Sequence, residues 1–258
     1  MSHSSAIPGE SRAISAALGR LAAFGLLVAV VAGLAQVFAG PGRRLGLWDH
    51  SFGFKILEWA AYTGLAAAAI AVLGLLFAWR AQQRRLVWMG LAGAILGGLI
   101  GYWPAALQTA FRTPPPLYDI STDAASPPPF IAAIELRKGA RLPLEYPPAF
   151  AAQQKTAYPD IKPAVVKLAP PQAFERALKA AHDMGWRVHA AVPADGRIEA
   201  VAKTFWFGFE DDVVIRVAAT EGGSRIDVRS AGRLGRRDGG ANAQRVQVYL
   251  KKLAATGN

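Results

Sequence analysis

The chain has 258 residues and a formal net charge of +11, from 29 basic and 18 acidic side chains, and it contains no cysteine. The missing thiols exclude disulfides, thiolate metal sites and cysteine nucleophiles. Residues 1–109 hold 8 basic and 3 acidic groups and residues 110–258 hold 21 and 15, but neither part interleaves lysine and arginine runs with aromatics, so nucleic acid is not an expected partner.

About 20 apolar residues are needed to cross a hydrocarbon core about 30 Å thick. Segments 21–39, 57–79 and 86–107 meet that length, and the first and third carry no charge. Glu58 sits at the edge of the second, and Tyr102, Trp103 and Pro104 suit an interface at the end of the third. Residues 1–20 then form an N-terminal tail and residues 21–109 a three-span anchor in a lipid bilayer. Arg12, Arg20 and Val37-Phe38-Ala39 also fit a cleaved signal sequence, against which stand the length of the run and the spans after it.

Gly93, Gly97 and Gly101 recur every fourth residue in the third span, as do Gly25, Ala29 and Gly33 in the first. Such faces let helices approach closely in lipid. They are expected to close a three-helix bundle, the alternative being a homo-oligomer joined through one face. The absence of an ionisable group in mid-membrane disfavours an ion or proton path. The basic loop 80–85 (RAQQRR) places itself and the N-terminus in the cytoplasm and everything after residue 107 outside, whereas Arg43, Arg44 and Lys55 argue for the inverse.

Residues 110–160 are rich in proline and read as a linker with an extended segment. Residues 161–258 read as an α+β domain. A strand at 164–168 precedes a helix at 171–184, begun by proline and ended by Gly185. Alternating apolar residues then mark strands around 186–192, 198–202, 213–217 and 226–228, with turns at Asp195-Gly196 and Glu221-Gly222-Gly223. A last helix begins near Asp238, with Val246, Tyr249, Leu250 and Leu253 on its buried stripe. Short turns between successive strands require antiparallel pairing, so two helices on one sheet face give a two-layer domain.

The stretches LYDISTD, PPPF, YPDIKP, TFWFGFEDDVVIRV and RIDVRSAGRLGRRDGGANAQRV occur in that order. From about residue 117 to the end the chain resembles the domain-of-unknown-function family numbered 1499, and its three-span start resembles that family's membrane-anchored bacterial branch. The resemblance implies a fold unit and a bacterial envelope setting, with no reaction attached. Tyr118 stands where the family commonly has histidine, and Gly232 and Arg237 where it commonly has serine.

Residues 203–217 (KTFWFGFEDDVVIRV) raise three readings. They are a hairpin whose aromatics close the core, a ligand pocket lined by Trp206 and Phe207 with Asp211 or Asp212 at its mouth, or a membrane-facing loop. In the next hairpin a turn at 220–223 sets Arg216 opposite Asp227 with Arg229 diagonal to it, as a solvated charged face or as an anion site. The basic loop 229–242, with Arg233, Arg236 and Arg237, enters a helix N-terminus. It reads as a structural junction or as a phosphate or lipid-headgroup seat, and it lacks the ending of a P-loop. Asn242 falls on the buried helix face, and Arg245 is placed to pair with Asp211 or Asp212. His182 and His189 lack an acidic cluster, so no metal or cofactor is expected. Asp119 and Asp123 read as turn or capping residues.

The leading expectation is a non-enzymatic binding or structural module at the outer face of a bacterial inner membrane, contacting an anionic lipid, an envelope polymer or a protein. One alternative is an enzyme on a membrane-derived or anionic substrate, with Asp211 or Asp212 as general acid/base and Arg216 and Arg229 binding charge. Another is an assembly factor whose spans hold a second membrane protein.

Overall fold

The computed structural model describes residues 8–255. Residues 1–7 of the expected N-terminal tail and 256–258 of the C-terminal domain lie outside the described residues. The chain forms two units: one runs to Thr109 and includes Trp206–Gly208, and the other comprises Ala110–Phe205 and the residues from Phe209 onward.

In the first unit a short helix α1 (Pro8–Leu18) leads into α2 (Leu21–Arg44), followed by α3 (His50–Arg80) and α4 (Arg84–Arg112). Three stretches, Arg12–Arg44, His50–Arg80 and Arg84–Arg112, are long and apolar enough to cross a membrane. At 1.5 Å per residue, α3 and α4 rise about 46 and 44 Å, longer than a hydrocarbon core of about 30 Å is thick. The Asp49 side chain starts α3 by accepting from the Phe52 N–H at 2.8 Å.

The side chains are sorted by size. Gly25, Ala29 and Ala32 of α2, Gly64, Ala67 and Ala71 of α3, and Gly90, Gly93 and Gly97 of α4 are buried between helices. Phe24, Leu27, Leu34, Trp59, Leu73, Ile95 and Leu99 point outward and are exposed. Large apolar groups outside and small ones inside suit a lipid surround, where close backbone approach provides the packing. Gln36 is buried and donates its Nε2 to the Ile100 carbonyl at 3.2 Å, a polar tie between α2 and α4. The glycine face of α4 is thus used within the bundle. A Cβ on Gly93 would lie 2.9 Å from both Ala71 Cβ and the Leu26 nitrogen, whereas one on Gly98 meets nothing within 4 Å.

The second unit contains β1 (Asp119–Ser121), α5 (Ala133–Leu136), α6 (Pro148–Ala157), β2 (Ala164–Val166), α7 (Pro170–Asp183), β3 (Arg187–Val192), β4 (Arg197–Lys203), β5 (Glu210–Thr220), β6 (Gly223–Gly232) and α8 (Ala241–Ala255). Every strand pairing is antiparallel and the sheet order is β1-β6-β5-β4-β3, with β2 also paired to β6. Thr220 pairs with Gly223, so Glu221-Gly222 is a two-residue turn. Gly222 there adopts φ +79°, a conformation costly for a residue with a Cβ.

Alternation along the strands divides the sheet into two faces. Ile198, Ala200, Val213, Ile215, Ile226 and Val228 face α7 and α8 and form the core with Phe174, Ala177, Val246, Tyr249 and Leu253. Trp186 stacks on Tyr249 with ring centroids 5.2 Å apart. The alternate residues carry charge, and the second face is not left open.

Residues 110–160, expected as a linker, belong to this unit and fold onto it. β1 extends the sheet, and Leu117 and Ile120 enter the main core. Phe130 and Ala133 pack with Val214 and Ala231 on the charged face. The Gln154 side chain pairs with both backbone groups of Ser121, accepting its N–H at 3.0 Å and donating to its carbonyl at 2.6 Å. The expected two layers therefore gain a third covering of irregular chain, and α5 and α6 join the two expected helices. Proline-rich composition predicts an extended backbone, but extended chain also serves as sheet and cover where its apolar residues find partners.

Substituting Gly93→Leu should lower the stability of the helical unit by about 1–3 kcal/mol through overpacking. Gly98→Ala should leave it unchanged. The two are compared by helical circular dichroism during denaturation of the full chain in mild detergent.

Candidate functional site

The charged face is built by strand register. Glu199, Val214 and Arg229 lie in one cross-strand row, Val201, Asp212 and Ala231 in the next, and Arg197, Arg216 and Asp227 in a third. Charges of both signs at alternate positions are thereby brought within hydrogen-bond reach of one another and of the covering chain.

Arg229 is 3% exposed and Asp119 is fully buried. Arg229 grips Asp119 through Nε and Nη2 at 3.0 and 2.7 Å. Its remaining donors reach the Pro128 carbonyl at 3.1 Å and the Leu144 carbonyl at 2.6 Å. The guanidinium also lies 4.8 Å from the centroid of Phe130 and 5.6 Å from that of Tyr146. Asp212, fully buried, sits between Arg137 and Arg233, each at 2.7 Å. Arg233 binds Glu210 as well, at 2.6 Å. Asp227 accepts from Arg216 at 2.9 Å and from Arg225 at 3.0 Å, and both arginines also reach Asp123.

Glu199 is fully buried on β4. It receives the backbone N–H groups of Ile131, Ala132 and Ala133 at 3.1, 2.9 and 2.8 Å, a nest of successive amides closed on a carboxylate. Arg197 forms an ion pair with it. His189 lies 4.0 Å away, with both ring nitrogens buried and lacking a hydrogen-bond partner among the described residues. Burial holds the His189 imidazole below its ordinary pKa, opposed by Glu199 and Asp212. The neutral ring is the form this site favours.

On the helix-side face a second polar cluster forms at the start of α8. Arg245 binds Asp211 at 2.6 Å and donates to Ser230 Oγ at 2.9 Å. Ser230 donates to Asn242 Oδ1 at 2.6 Å, and Asn242 Nδ2 donates to the Tyr118 carbonyl at 3.1 Å. Asp238 accepts from the Gly240 and Asn242 N–H groups, each at 2.8 Å, and so organises the entry to α8. Burial pushes the Asp211 and Asp119 carboxyls upward, with Arg245 and Arg229 respectively pulling them back. Burial, with Asp119 close by, raises the Tyr146 phenol to about 12.

The residues singled out in the sequence therefore fall into separate groups. Asp211, Asn242 and Arg245 come together on one face. Asp212 with Arg233, Arg216 with Asp227, and Arg229 with Asp119 lie on the other. Trp206 and Phe207 belong to the helical unit, where Trp206 Nε1 donates to the Val37 carbonyl at 3.1 Å and the Phe207 and Phe54 centroids are 5.0 Å apart. Trp206 and Phe207 thus fall in a different unit from Asp211 and Asp212. Among the described residues, no group of three or more histidine and acidic side chains is arranged to hold a metal ion.

Sequence reasoning missed Glu199, Arg137 and Gln154, and it took Asp119 and Asp123 for turn residues. Glu199 left a signal: Arg197 and Glu199 alternate with Ile198 and Ala200, the pattern of a strand with one charged face. Arg137 left none, because its partner Asp212 is 75 residues away.

These features define a class: an α+β domain with a closed polar sheet face, carried on three candidate membrane spans. Residues 119–253 match the family described as protein of unknown function DUF1499, and the chain belongs to that family. No curated protein and no solved structure matches the chain.

Arg229→Met should cost about 3–5 kcal/mol, because it strands the buried Asp119 charge. Adding Asp119→Leu should recover much of that loss, since an apolar pair of similar size avoids the desolvation. Chemical denaturation followed by tryptophan fluorescence reads both. A single variant as stable as the wild type would show that the pair is not buried in solution.

Proposed function

We propose that the protein is a membrane-anchored binding and structural module, not an enzyme, whose loops contact an anionic lipid, an envelope polymer or a protein partner. The observation that carries this reading is the commitment of the charged side chains. Asp211 is held by Arg245 and Asp212 by Arg137 and Arg233, with side-chain exposures of 10% and 0% for the two acids. A general acid or base must reach the proton of its substrate, and a charge-binding arginine needs free donors. Arg216 and Arg229 already bind internal carboxylates. The face they form supports a rigid scaffold that presents loops.

The setting proposed is a bacterial inner membrane with a cytoplasmic N-terminus and a periplasmic domain. It is supported by the three candidate spans and by the basic loop 80–85 joining the second and third. The use of Gly93 and Gly97 inside the bundle argues against those glycines as the contact for a second membrane protein.

Carbodiimide labelling of the full chain in membranes tests the reading. Asp211 and Asp212 should remain unmodified until the domain is denatured, while exposed Glu135 and Glu221 react. Rapid modification of either aspartate in the folded protein would favour the catalytic alternative.

A further inference from the structure

We infer that loop 233–240 is a surface that selects anionic phospholipid headgroups, and this rests on the binding-module reading above. The loop is seated on the last residues of α4 and the residues just after them. Arg237 Nη1 donates to the carbonyls of Arg112 and Pro114 at 3.2 and 3.0 Å. Gly239, at φ +63°, closes over the Phe111 ring, and a Cβ there would lie 2.7 Å from Phe111 Cδ1. Arg112 is the last residue of α4 and of its candidate span. The loop is thereby tied to the end of the helix that carries the third candidate span.

The charge at this place differs from that on the sheet. Arg112, Arg141, Arg236 and Arg237 are exposed. The segment bearing Arg141 adjoins the loop, its backbone N–H donating to the Arg233 carbonyl at 3.0 Å. Arg216, Arg229, Arg233 and Arg245 each hold a carboxylate, whereas these four arginines form no ion pair among the described residues. The acid of the loop, Asp238, directs both oxygens to the N–H groups of Gly240 and Asn242, at 2.8 Å each. Guanidinium groups bind phosphate oxygens through paired donors, and basic groups beside a membrane attract anionic lipid. The occupant that fits is the phosphate of an anionic lipid in the bilayer that holds the spans.

The full-length chain in neutral detergent should be titrated with phosphatidylglycerol or phosphatidylcholine, with bound lipid counted by native mass spectrometry. The wild type should retain phosphatidylglycerol roughly 10-fold more tightly. The double variant Arg236→Ala/Arg237→Ala should lose that preference while its circular dichroism spectrum stays that of the folded wild type. Lys162→Ala/Lys167→Ala, which removes the same charge from exposed sites elsewhere, should keep it. Equal lipid preference in the wild type and the Arg236/Arg237 variant would overturn the proposal, as would equal competition by inorganic phosphate. Neither result bears on Asp211 and Asp212, so the binding-module reading stands or falls separately by their labelling.

Discussion

A charge taken out of water must meet an opposite charge or a full set of hydrogen bonds, and this requirement shapes the α+β unit of the protein. Strands β4, β5 and β6 carry Glu199, Asp212, Asp227 and Arg229 on one face, all buried. No strand neighbour satisfies all of them. Arg216 and Arg225 hold Asp227, and the covering chain supplies Asp119 to Arg229, Arg137 to Asp212 and the amides of 131–133 to Glu199. The covering chain is therefore part of the fold, and the Phe130–Ala133 contact on Val214 and Ala231 seals it.

The helical unit answers the opposite solvent. Its large side chains face outward and its alanines and glycines inward, so its stability depends on backbone proximity, with Gln36 as one interhelical hydrogen bond. One chain thus buries charge in its sheet unit and small apolar residues in its helical unit.

Local periodicity carried much of this in the sequence. The spans, helix α7, the last helix and the Arg216–Asp227 register follow from runs, caps and alternation over short distances. The site was most legible where partners lie on adjacent strands, as with Arg216 and Asp227. Arg137 and Asp212, or Glu199 and the amides of 131–133, are separated by more than 60 residues. The proline-rich composition of 110–160 also concealed that its apolar residues Leu117, Ile120 and Phe130 are anchors. Trp206 and Phe207, which suggested a pocket with the neighbouring aspartates, instead group with the helices.

The central claim is that the sheet's charged face is closed by the chain's own covering segment. Amide hydrogen exchange at residues 131–133 in the full-length protein measures that closure most directly. The account predicts strong protection in the wild type, lost at these three amides in Glu199→Ala while the β5–β6 ladder stays protected. Rapid exchange of the three amides in the wild type would mean that the face stands open in solution, and its arginines would again be available to a ligand.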